Sequence, residues 1–127
     1  MKRSLVVLIL WTLILLGLLL APIRESEILN PWGFPYFDKV VHFVLFFVTG
    51  FASVLSTKFL SRFRNRVLFG IIFGLFLAVG TELAQSSIPF RSRDFYDLTV
   101  DVIGLGVALL LYDLIYRQAR LRAFFRL

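Results

Sequence analysis

Ser4 to Ile23 runs without a single charge, and the chain nearly repeats the pattern twice more. Val40 to Thr57 is a second apolar run, with His42 as its one titratable group. Val67 to Ile88 is a third, with Glu82 as its one acid. Runs of this kind match the roughly 20 apolar residues that an α-helix needs to cross about 30 Å of hydrocarbon. A fourth stretch, Val102 to Tyr112, is bounded by acids at both ends. It reaches only about half the length of a span, too little to cross alone. Arg117 opens a basic segment on its far side. The fourth span must therefore begin near Phe95, and it carries Asp97 and Asp101 into the bilayer or to its edge. The expectation is one domain over residues 1–127, an all-α bundle of four transmembrane helices near 4–23, 39–57, 67–88 and 95–116.

Composition agrees. Apolar residues make up 59% of the chain, charged residues 17%, and the mean hydropathy is +0.86, whereas soluble domains run nearer half apolar and a quarter charged. With no cysteine, disulfides, thiolate metal sites and cysteine nucleophiles are excluded. Lys2 and Arg3 ahead of the first run would suit a signal peptide. That run is long for one, and Leu20-Ala21-Pro22 is not a small-x-small cleavage site, so a retained helix is expected. The connection from Arg24 to Phe37 holds Asn30, Pro31, Trp32, Gly33, Pro35 and Tyr36, and reads as a loop or short helix at headgroup level.

Basic residues set the orientation. Lys2, Arg3, Lys58, Arg62, Arg64, Arg66, Arg117, Arg120, Arg122 and Arg126 fall on one side of a four-span bundle, and Arg24, Lys39, Arg91 and Arg93 on the other. Both termini should then be cytoplasmic, in an inner or plasma membrane. Topology accounts for the net +6, and no nucleic-acid partner is expected. The basic loop and tail reach lipid at most. Of the acids, Asp113 alone lies toward the inner face.

The remaining acids point to a site. His42, Glu82 and Asp101 lie one to two helical turns inside the outer ends of three different helices, roughly 6 to 9 Å deep. Ionisable groups inside a membrane are costly and face a cavity or the bundle interior. Asp38 and His42 share a helix face, continued by Thr49, Ser53 and Ser56, hydroxyls expected to bond their own helix backbone. Gly70, Gly74 and Ala78 form a small-residue stripe with Glu82 and Gln85 at its outer end. Asp97, Asp101, Gly104 and Ala108 form another. Small residues let helices approach closely. The expectation is therefore tight packing at Gly70, Gly74 and Gly104 beneath an outward-opening polar pocket. Its ligand-binding candidates are Asp38, His42, Glu82, Gln85, Arg91, Asp97 and Asp101. Arg91 and Arg93, in the short connection after Pro89, could pair with Asp97 or Asp101 or clamp an anionic group. Asp94 is placed to cap the fourth helix. Lys39 reads as an interfacial anchor that snorkels to water.

His42, Glu82, Asp97 and Asp101 could also hold a divalent cation, and paired carboxylates could do acid–base work. No motif specifies a reaction, so no catalytic residue is assigned and no cofactor is expected. The competing explanation is an ion-pair network that only holds the bundle together.

Read in order, Asp38-Lys39-Val40-Val41-His42-Phe43, Glu82-Leu83-Ala84-Gln85, Pro89-Phe90-Arg91 and Asp97-x-x-x-Asp101-x-x-Gly104 resemble the VanZ-like family, named for a teicoplanin-resistance membrane protein. The resemblance covers residues 38–108. Asp101 stands where the family commonly has Asn, and Ala108 where it often has Gly. The resemblance implies a small multi-span bundle and, for some members, reduced susceptibility to lipoglycopeptide antibiotics. It suggests a binding or envelope-accessory role at the outer leaflet, with membrane lipids, a lipid-linked cell-wall intermediate or a lipoglycopeptide as partner. A head-group enzyme and a structural subunit of a membrane complex are the alternatives.

Overall fold

The computed structural model describes residues 2–21, 36–57, 63–89 and 95–125. They form four helices: α1 (Lys2–Leu20), α2 (Phe37–Ser56), α3 (Phe63–Gln85) and α4 (Phe95–Phe125). Each is long and apolar enough to cross a membrane. The bundle turns a large apolar surface outward, with Val7, Leu13, Ile72, Phe76 and Leu110 among its exposed side chains. In water that surface would be a liability; in a bilayer the acyl chains cover it.

α2 is the central helix, packing on α1, α3 and most extensively on α4. Its sequence explains this. His42, Leu45, Phe46, Thr49, Gly50, Ser53 and Val54 are all buried and recur at spacings of three and one, a single broad helical face. α4 answers with Asp97, Asp101, Gly104, Leu105, Ala108 and Leu109, at spacings of four, three and one. The two helices touch almost backbone to backbone. A Cβ on Gly104 would lie 2.5 Å from the Phe43 carbonyl oxygen, and one on Gly50 would lie 2.7 Å from the Ala108 Cβ. Gly70 faces Ser53 and Leu109, and Gly74 faces Leu105, so these glycines also sit at helix contacts.

α1 is nearly featureless in sequence, yet side-chain hydrogen bonds with α2 and α3 pin it. Ser56 Oγ donates to the Ser4 carbonyl at 3.0 Å, Trp11 Nε1 to Thr49 Oγ1 at 2.9 Å, and Gln85 Nε2 to the Leu19 carbonyl at 2.9 Å. They lie at the start, middle and end of α1, and the order of the two α2 partners makes α1 antiparallel to α2. Thr49 and Ser53 donate to the carbonyls of Leu45 and Gly50 in their own helix, as expected of hydroxyls in an apolar setting. Ser56 differs because the end of α2 brings it against α1.

α2 begins on Tyr36, whose φ of 59° is left-handed, an uncommon conformation for a residue with a side chain. Its carbonyl accepts the N–H groups of Lys39 and Val40. That turn aims the first residues of α2, where Asp38, Lys39 and His42 reside. At the other extreme, α4 continues to Phe125, past the expected end of the span at 116. The extension is polar and helical, with Arg117 Nε pairing to Asp113 one turn back at 3.0 Å. A helix propagates through good helix formers whether or not they are apolar, so the end of hydrophobicity is not the end of the helix.

Candidate functional site

Asp38, His42, Asp97 and Asp101 meet on the α2–α4 contact. Lys39 Nζ lies 3.0 Å from Asp38 Oδ2 and is hydrogen-bonded to Asp97 Oδ1. The other Asp97 oxygen faces His42 Nε2 at 3.7 Å, an ion-pair distance beyond hydrogen-bond range. His42 Nδ1 sits 2.8 Å from Asp101 Oδ1; with an ionised carboxylate, the ring N–H is the donor. The result is an alternating chain, Asp38–Lys39–Asp97–His42–Asp101, leading from the first turn of α2 into the bundle. His42, Asp97 and Asp101 are almost fully buried.

Helix geometry builds this chain. Asp97 and Asp101 are four apart and stack on one face of α4, while Lys39 and His42 are three apart on the matching face of α2. The close approach at Gly104 brings those faces within side-chain reach. In a low-dielectric interior polar and charged groups need partners, and carboxylates alternating with an ammonium and an imidazole supply them. Among the described residues, Asp101 Oδ2 is a buried oxygen with no hydrogen-bond partner.

Lys39 departs from expectation. It is not a snorkelling anchor; its ammonium is the cation that joins Asp38 to Asp97. Its position between Asp38 and His42 on the first turn of α2 was the available signal. The expected open polar pocket takes a different form as well. His42, Asp97 and Asp101 are packed away against one another and Lys39, and Gln85, also buried, turns to α1. Glu82, itself buried, lines the space that remains. It joins Val79, Leu83, Phe95 and Leu98 around a cleft of about 400 Å³ between α3 and α4. Glu82 and Asp97 both lie within electrostatic range of Asp101, so the cleft adjoins the charged chain. Arg91, Arg93 and Asp94 lie outside the described residues.

Among the described residues, no group of three or more His, Asp or Glu side chains is arranged to hold a metal ion. Around His42, Asp97 and Asp101 the reason is visible: carboxylates face both imidazole nitrogens, and Lys39 occupies Asp97.

The chain is similar to an uncharacterized protein of the fission yeast Schizosaccharomyces pombe. They are 33% identical over 88 residues, which cover 68% of this chain and 52% of that protein. The chain thus spans about half the length of this curated relative. No family model matches it, and no solved structure matches it.

Proposed function

We propose that this chain is an integral membrane protein of the VanZ-like type, with both termini cytoplasmic, that binds an amphiphile at the outer leaflet and serves the cell envelope without catalysing a reaction. The observation that carries the proposal is the cleft beside Glu82. Its walls are four apolar side chains and its polar lining residue is a carboxylate. An acyl or aromatic chain fits such walls, and a hydroxyl or amine fits the carboxylate. The distribution of basic residues supports the orientation. Asp38, Lys39, His42, Asp97 and Asp101, which carry much of the family resemblance, form the charged chain behind the cleft. The ligand class is a lipid-linked cell-wall intermediate or a lipoglycopeptide such as teicoplanin, with Arg91 as partner for its anionic group.

The test is growth under teicoplanin and other envelope stresses, with membrane abundance measured in parallel. Glu82→Gln removes the charge, and Leu83→Trp fills the cleft from an exposed position. Both should leave abundance normal and abolish protection. Full protection by both variants at normal abundance would overturn a binding role for the cleft.

Two observations favour other readings. The mutual burial of His42, Asp97, Asp101 and Gln85 suits a structural clamp within a membrane complex. In that case Asp97→Asn lowers abundance while protection per molecule stays constant. The Asp101–His42 pair suits acid–base chemistry on a lipid head group, because a carboxylate on Nδ1 fixes the imidazole tautomer. His42 Nε2 faces Asp97, however, so a substrate would have to displace that carboxylate.

A further inference from the structure

The α3–α4 seam opens again at its opposite end. There Arg64, Val67, Leu68 and Ile71 of α3 face Asp113, Tyr116, Arg117 and Arg120 of α4 across a groove of about 500 Å³. Both sets follow the same spacing of three, one and three, so each is one stripe of its helix turned toward the gap. Further in, the helices close up where Gly70 meets Leu109.

The depth of the groove identifies its surroundings. Arg64 and Glu82 stand at opposite ends of α3, about 27 Å apart along its axis, close to the thickness of a hydrocarbon core. With Glu82 near one interface, the arginines stand at headgroup level of the other leaflet. The chemistry divides at that depth. Leu68 and Ile71, both exposed, offer an apolar wall on the core side, and three arginines offer guanidinium groups at the rim. Arg117 is held in place by Asp113 through Nε, which leaves the outer edge of its fork for another anion. Arg120 lies over the Tyr116 ring at 6.0 Å, a contact that orients a guanidinium.

We infer that this groove is a binding site for one phospholipid with an anionic head group, its phosphate on Arg64 and Arg117 and one acyl chain along Leu68 and Ile71. The inference does not depend on what the Glu82 cleft binds. An acyl chain matches the apolar wall, phosphate matches the bidentate geometry of arginine, and a net anionic head group matches the excess of three arginines over one aspartate.

Native mass spectrometry of the full chain, released from detergent micelles holding equal phosphatidylglycerol and phosphatidylcholine, tests it. The wild-type protein should retain one phosphatidylglycerol in preference to phosphatidylcholine. Arg64→Gln with Arg117→Gln should lower that preference about tenfold. Arg3→Gln, which removes an exposed arginine outside the groove, should leave it unchanged. Leu68→Trp keeps every charge but blocks the wall, and it should also lose the retained lipid; it decides the matter if the double variant fails to fold. Added inorganic phosphate should not compete. An absence of preference in the wild type, retention by the double variant or by Leu68→Trp, loss in Arg3→Gln, or displacement by phosphate would each overturn the assignment.

Discussion

The two ends of the α3–α4 seam handle charge in opposite ways. Near Glu82, the ionisable side chains are buried and paired across helices, as Lys39 is with Asp97 and His42 with Asp101. Near Arg64, they are largely exposed and paired within one helix, as Arg117 is with Asp113. The same two helices thus carry a costly polar interior at one end and an ordinary solvated rim at the other. A bilayer protein gains nothing from burying charge for solubility or orientation, and exposed arginines serve both. The buried end is therefore where a specific task, binding or assembly, has to be sought.

The contrast gives a ranked set of expectations. The largest effect should come from Asp97→Ala, which takes the shared carboxylate from between Lys39 and His42. Breaking a buried pair costs about 3–5 kcal/mol, read as a fall in the unfolding midpoint in detergent and in membrane abundance. Asp101→Asn should behave very differently from Asp101→Ala. The amide oxygen still accepts from His42, and an uncharged NH2 takes the place of the buried orphan oxygen, so the change should be about 1 kcal/mol. An Asn variant as damaging as the Ala variant would show that the charge itself is required. Next in size is Gly104→Val. Its Cβ would meet the Phe43 carbonyl, and overpacking of this kind costs about 1–3 kcal/mol; wild-type thermal stability would contradict the observed helix approach. Trp11→Phe, which gives up the bond to Thr49, should cost about 1 kcal/mol by the same unfolding assay. Arg117→Gln should be the mildest, within about 0.5 kcal/mol.

Much of this fold is legible in the sequence, for a physical reason. A bilayer imposes a length and an apolar character on whatever crosses it, and the runs from Ser4, Val40 and Val67 declare both. The start of α4 near Phe95 follows from arithmetic, because the stretch from Val102 to Tyr112 is too short to cross. Its end does not follow, since the helix past Tyr116 is held by helix propensity and the Asp113–Arg117 pair, not by apolar content. The site is legible as a set of depths and faces: Asp97 and Asp101 on one stripe, Asp38 and His42 on another. Which face meets which is not. Whether Lys39 snorkels or bridges depends on how close α4 comes, and that depends on Gly104 and on Gly50, a residue hidden among bulky neighbours on α2. The role of Gln85 was equally out of reach, because its partner is a backbone carbonyl on α1, and a carbonyl leaves no mark in a sequence.

The most direct test of the contrast is a matched pair of double-mutant cycles for stability in detergent. One combines Lys39→Met with Asp97→Leu; the other combines Arg117→Gln with Asp113→Asn. The account predicts a coupling of about 1.5–3 kcal/mol across Lys39 and Asp97 and no more than about 0.5 kcal/mol across Arg117 and Asp113. Additive effects at Lys39 and Asp97, or equal couplings at the two ends, would contradict it.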